Sequence, residues 1–291
     1  MVDNDIRKLL DNRDIDCNRH GIKKILVLSG GSIKGLAQAG ALYCLEKHNI
    51  LQHIDTFACT SAGAIVGMMI IAGIKPFDIL HFFIAIDTKK VTNSAPLNLL
   101  SSFGFDNGER IMVIFQHILE GKNYNSNITF REFYEKTKKK FIVTGTCVNT
   151  KKVVYFSHET TPDIRVVDAV RASSSIPLVF VPKKIENMLY IDGGCIDNYP
   201  IKLFDTCLDQ VIGIMVTDRR KKVDAINNLE QYFSETVQCL YEGQIISIIN
   251  GYVKQTVSIE CIQIDGSIEE RSTALFDNGY QIMEKNIGRF I

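Results

Sequence analysis

The stretch KKILVLSGGSIKGLAQAGALYCLEKHN, Lys23–Asn49, opens with a short, nearly continuous apolar run, breaks at two glycines, and goes on with apolar residues near helical spacing. An apolar run of this length bounded by a glycine turn reads as a buried parallel strand, because a strand covered on both faces has no polar alternation. Leu36, Ala39, Leu42, Tyr43 and Leu45 then predict a helix. The pattern recurs in IDTFACTSAGAIVGMMIIAGI, Ile54–Ile74, as a strand to Thr60 and a helix from Ala62 that is apolar nearly all round and therefore buried. Two strand, glycine turn and helix units in succession predict an α/β fold with a central, mainly parallel sheet flanked by helices.

Outward from this pair, residues 76–138 read as mostly helical. Pro76 opens PFDILHFFIAI, Gly121 closes NGERIMVIFQHILEG, and Thr129 with Glu132 forms a capping box at the start of TFREFYEKTKK. Strands return at KFIVTGTCV and KVVYFSH; a helix, DIRVVDAVRASSS, leads to IPLVFVP and MLYIDGG, and DQVIGIMV is another apolar strand. A helix near Leu229–Ile249, a strand TVSIECIQI and a closing helix from about Ser272 complete the chain. No repeat or low-complexity linker marks a boundary, so residues 1–22 read as an N-terminal extension and 23–291 as one domain.

With 291 residues, 46% of them hydrophobic, the chain can bury a sizeable core. Lys plus Arg equals Asp plus Glu at 33 each, so no global field favours nucleic acid, and none is expected as a partner. Eight cysteines are scattered without C-x-x-C and without a Cys/His cluster at metal spacing, against both a disulfide framework and a zinc site. The expected compartment is reducing and cytoplasmic. The N-terminal MVDNDIRKLLDNRDID is charged throughout and offers no signal-peptide core. The longest apolar run, Ala62–Ile74, is well short of the roughly 18–20 residues that span a bilayer, so any membrane contact is expected to be peripheral.

Three stretches carry candidate chemistry. Cys59-Thr60-Ser61-Ala62-Gly63 sits on a strand-to-helix turn and approximates the nucleophile elbow G-x-S-x-G, with Cys59 in place of the first glycine. Taken alone, S-x-G after a strand is a weak signal, and Ser61 reads first as a helix N-cap. SGGSIKG, Ser29–Gly35, offers backbone N–H groups and a helix N-terminus to a phosphate or a developing oxyanion. It lacks the Gly-Lys-Ser/Thr ending of a P-loop and has Ser32 where a dinucleotide motif needs glycine. Asp192, in LYIDGGCIDNYP, ends an apolar strand before Gly193-Gly194 and can sit at a tight, accessible turn; an ordinary Asp-Gly turn is the alternative. A serine nucleophile needs a base, yet no histidine follows His158, which is the best histidine candidate and otherwise reads as a loop residue.

In this order the blocks resemble the patatin-like phospholipase family: LVLSGGSIKGLAQAGAL its glycine-rich block, CTSAGAIVG its elbow, AVRASSSIPLVFVP the segment after the sheet, YIDGGCIDNYP its Asp-Gly-Gly block, and FDNGY its last helix. The resemblance covers about Lys23–Tyr280 and implies a single patatin-like α/β domain. It implies Ser61 as nucleophile and Asp192 as base of a Ser-Asp dyad, Gly30, Gly31, Ser32 and Ile33 as the oxyanion hole, and Lys34, Gly35, Gly63, Gly193 and Gly194 as supporting motif residues. Cys59 and Ser32 stand where the family has glycine. Neither metal nor cofactor is required by this chemistry.

The implied substrates are phospholipids or lysophospholipids met at a peripheral membrane surface, with a protein activator needed by some members of the family. A neutral-lipid or other acyl-ester hydrolase, an acyltransferase, and a catalytically silent lipid-binding protein are the alternatives. SAPLNLLSSFGF, Ser94–Phe105, reads as a lid or membrane-dipping segment or as a packed connection; KTKKK, Lys136–Lys140, and RRKK, Arg219–Lys222, read as headgroup-attracting or simply solvated runs.

Overall fold

The computed structural model describes residues 22–85, 103–218, 225–228, 250–261 and 265–291, with scattered positions between 231 and 248. In chain order the strands are β1 (Ile25–Leu28), β2 (Thr56–Thr60), β3 (Gly104–Asp106), β4 (Lys140–Cys147), β5 (Lys152–Phe156), β6 (Leu178–Phe180), β7 (Lys183–Ile185), β8 (Met188–Asp192), β9 (Val211–Asp218) and β10 (Thr256–Cys261). The helices are α1 (Gly35–Lys47), α2 (Ala62–Ile71), α3 (Pro76–Ala85), α4 (Glu109–Glu120), α5 (Phe130–Thr137), α6 (Val166–Ser173) and α7 (Ile268–Asn286).

β1 lies at the centre, parallel to β2 on one side and to β9 on the other, with β10 beyond β9 and β4 beyond β2, all parallel. Strand order therefore departs in both directions from β1, the arrangement that opens a crevice at the carboxyl ends of the strands. The remaining pairings are antiparallel: β5 and β8 with β4, and β7 with β8. Their placement decides the site. β5 runs along one edge of β4 from Val143 to Cys147, β2 along the opposite edge up to Thr144, and β8 takes up that second edge at Gly145, opposite Asp192. The carboxyl ends of β2 and β8 thus abut along one edge of β4.

The apolar runs lack polar alternation because each strand feeds two cores. Leu26, Leu28, Phe57, Cys59, Phe141 and Val143 pack toward the main helical layer. Ile25, Val27, Ala58 and Ile142 pack on the other face with the 3-10 segment Pro200–Phe204. In α1 the expected one-sided stripe is replaced by burial at every position from Gly35 to Leu42 and again at Cys44 and Leu45. The cause is α7: a Cβ on Gly40 would lie 1.9 Å from the Phe276 carbonyl oxygen, and one on Gly279 would lie 1.8 Å from that of Ala37, so the two helices cross backbone to backbone.

The capping box at Thr129 and Glu132 is present as expected. The closing helix begins earlier than expected, at Ile268, because Ser267 and Glu270 form a second box; such a cap contributes about 1 kcal/mol. Among the described residues no helix is long and apolar enough to cross a membrane. The segment 86–102, with most of Ser94–Phe105, and Arg219–Lys222 lie outside the described residues.

Candidate active site

β2 is buried throughout and ends at Thr60; the chain then turns into α2 within a single residue. Ser61 takes φ 52° and ψ −119°, a left-handed conformation that L-residues adopt at a cost of roughly 1–3 kcal/mol. The close approach that makes the turn this sharp depends on Gly63, where a Cβ would lie 2.7 Å from the Ser29 carbonyl oxygen and 2.8 Å from the Leu28 Cβ. The strain is held by the Ser61 N–H donating to Ser173 Oγ at 2.8 Å and by the Ser61 carbonyl accepting from the Ala64 N–H at 2.9 Å. Ser61 occupies the N-cap position of α2 but makes no side-chain capping bond. The N-cap alternative is thereby excluded. Cys59, in place of the elbow's first glycine, fits because Gly67 faces it, and a Cβ there would come within 2.8 Å of Cys59 Sγ.

The Ser61 hydroxyl instead donates to Asp192 Oδ2 at 2.6 Å. Asp192 closes β8, its Oδ1 accepts from the Gly194 N–H at 2.8 Å, and its own N–H donates to the Ser175 carbonyl at 2.9 Å. Far from lying at an accessible turn, Asp192 is only 1% exposed. The correction follows from topology, since β8 runs into the sheet alongside β4 and ends beneath the elbow. Burial pushes the Asp192 carboxyl up from 3.8 to about 7, against the hydrogen bonds from Ser61 and Gly194, which favour the charged form. A carboxylate so placed is matched as a base to neutral pH.

The glycine loop leaves β1 beside this pair: a Cβ on Gly30 would lie 3.1 Å from the Ser61 Cβ. The Gly30 N–H is taken by the Asn198 carbonyl at 3.1 Å, so of the four expected oxyanion residues Gly30 has no donor to offer. The Lys34 N–H closes a 3-10 turn onto the Gly31 carbonyl. Gly31, Ser32 and Ile33 precede that bond, so their N–H groups have no partner within the turn. Ser32 has φ 52°, the conformation its glycine counterpart would take without strain. Ser32 and Ile33 are exposed, so the loop faces solvent. Gly35 packs on α2, with a Cβ there 3.2 Å from the Ala62 Cβ, and Gly193 lies against the Thr144 carbonyl.

His158 is not brought to Ser61. It follows β5 at the opposite end of β4, stacked on Tyr134 with ring centroids 3.7 Å apart. The KTKKK run is not a headgroup patch beside the site either: Lys140 is buried in an ion pair with Glu159 at 2.6 Å, and Lys139 donates to the Ile54 carbonyl. Both lie at the amino end of β4, away from Ser61. The residues that position Ser61 and Asp192 went unassigned in the sequence. Ser173 holds the elbow, and buried Arg171 donates to Ser175 Oγ at 2.5 Å, beneath the carbonyl that accepts from Asp192. Their only signal was their place in AVRASSS.

Comparison with known proteins places the chain in a family. The family model for patatin-like phospholipase matches residues 26–205, and the chain belongs to that family. It is 30% identical over 274 residues to "Probable lipid hydrolase 463L" of Invertebrate iridescent virus 6, covering 91% of each chain. Among solved structures it resembles VipD from Legionella pneumophila, with TM-score 0.59 and 15% identity over 92% of this chain and 67% of that one. It also resembles ExoU, solved in complex with SpcU from Pseudomonas aeruginosa, with TM-score 0.54 and 18% identity over 93% of this chain and 53% of that one, so it spans about half of ExoU. These likenesses establish the α/β fold and a patatin-like lipid hydrolase family.

Proposed function

We propose that the protein is a serine acyl hydrolase that uses Ser61 and Asp192 as a two-residue dyad on fatty-acyl esters of phospholipids or lysophospholipids. The observation that carries this reading is the 2.6 Å bond from a strained, uncapping Ser61 hydroxyl to a buried carboxylate. Asp192 takes the hydroxyl proton as Ser61 Oγ attacks the ester carbonyl. The negative charge that develops on the carbonyl oxygen is met by the N–H groups of Gly31, Ser32 and Ile33. Asp192 then returns the proton to the departing lysolipid or glycerol oxygen, and water releases the fatty acid by the reverse sequence. A silent lipid-binding protein has no use for backbone strain spent on aiming a hydroxyl at a carboxylate.

Exposed apolar side chains on the segments that form the site, Ile33 and Ile196, support docking on a lipid surface. A protein partner is part of the proposal, in line with ExoU, which was solved in complex with SpcU. The test is fatty-acid release from mixed phospholipid vesicles, with and without cell lysate. Ser61→Ala is expected to lower release by about 10⁴-fold while vesicle binding persists. Equal release by wild type and variant would overturn the proposal.

A further inference from the structure

Cys44 and His48 are four residues apart at the carboxyl end of α1, hence on one face of it, and that face meets Glu284 on α7. Both converge on a single oxygen: Cys44 Sγ lies 3.0 Å and His48 Nε2 2.9 Å from Glu284 Oε2, and the three donor atoms all fall within 4.8 Å of one another. Cys44 is fully buried, whereas the His48 and Glu284 side chains are 31% and 43% exposed, so the cluster is open to solution on one side. The site is distinct from the dyad, since α1 carries it about 20 Å from the glycine loop.

We propose that Cys44, His48 and Glu284 bind one Zn²⁺ ion. A thiolate, an imidazole and a carboxylate form a donor set that suits Zn²⁺ and disfavours Mg²⁺ and Ca²⁺, which prefer oxygen alone. Tetrahedral zinc with bonds of about 2.0–2.3 Å separates its donors by about 3.5 Å. The two separations to Glu284 Oε2, 3.0 and 2.9 Å, are shorter than that and all three donors lie within 4.8 Å of one another, so side-chain adjustment of the half-exposed His48 and Glu284 would admit the ion. On binding, the Cys44 thiol gives up its proton to solvent and ligates as the thiolate, with His48 neutral and Glu284 ionised. The two anionic ligands balance the ion's charge, and its fourth position opens toward water. The ion would clamp α7 onto α1 at the end of the contact that Gly40 and Gly279 begin. The sequence gives little sign of this, because Glu284 lies 236 residues beyond His48.

The test is titration of the full-length, reduced protein with Co²⁺, whose near-ultraviolet thiolate charge-transfer band and visible ligand-field bands report a tetrahedral sulfur-containing site. Wild type is expected to develop both bands at one equivalent, to lose them when Zn²⁺ is added, and to melt a few degrees higher with Zn²⁺. Cys44→Ser should abolish the charge-transfer band. His48→Gln and Glu284→Gln, at half-exposed positions where folding is not at risk, should each weaken Co²⁺ binding by more than about 100-fold, the upper range for loss of a mere ligand-supporting group. Absence of the bands in wild type, or unchanged affinity in the His48 and Glu284 variants, would overturn the proposal.

Discussion

Replacing Asp192 with Asn is expected to inactivate the protein and, at the same time, to make it more stable. The carboxyl titrates at about 7 in the fold against an ordinary 3.8, because only 1% of it is exposed. A carboxyl whose folded pKa is raised burdens the folded state wherever the unfolded chain would ionise it. The cost is absent below pH 3.8, grows between 3.8 and about 7, and is complete above about 7. At 1.36 kcal/mol per pH unit it reaches about 4 kcal/mol. Asn resembles the neutral acid, since it keeps an Oδ1 to accept from the Gly194 N–H and cannot ionise. Asp192→Asn should therefore gain about 2–4 kcal/mol at pH 8, or about 3–7 °C in melting temperature, and almost nothing at pH 4. Thermal unfolding of both proteins across that pH range measures the difference. A variant no more stable than wild type at pH 8, or a gain as large at pH 4 as at pH 8, would refute a buried-charge cost at Asp192.

The same carboxyl sets the pH dependence of turnover: kcat/KM on a soluble ester should fall tenfold per pH unit below about 7 and level off above it. A profile flat down to pH 5 would show an ordinary exposed carboxylate or another base. Ser173→Ala removes the acceptor of the Ser61 N–H and leaves a buried donor unpaired, at a cost of about 1–3 kcal/mol. Acting through Ser61 alone, this positioning change should lower kcat by about tenfold or more with KM held, and a rise in KM at constant kcat would count against it.

The first two strand and helix units were legible because their signals are local: an uninterrupted apolar run, a glycine turn, and an apolar helix. Ser61 and Asp192 were also picked out, yet from the pentapeptide alone Ser61 could not be told from a cap. The deciding fact is that β8 takes over the edge of β4 that β2 vacates, and this depends on pairings between distant residues that leave no period in the chain. β3 and β7 have only three residues each, too short for alternation to register. KTKKK resembles a solvated face in composition, but β4 begins inside it and Glu159 draws Lys140 inward. The Gly30 N–H looked free because its acceptor, the Asn198 carbonyl, lies far along the chain.

The central position of β1 has a bearing on how the protein is made. β1 pairs residues 25–28 with residues 211–214 of β9, and the glycine loop that follows is tied to Ile214, Val216 and Asn198. While the chain emerges from the ribosome, β1, β2 and β4 can associate, but one edge of an entirely apolar strand stays uncovered until about three quarters of the sequence has been synthesised. Slow elongation or truncation before β9 therefore leaves an adhesive edge exposed, and yield in expression should respond to chaperone supply. The loop assigned to receive the oxyanion is among the last parts of the site to be anchored, so no activity should appear in nascent chains that stop short of β9, even though Ser61 and Asp192 are already translated by then.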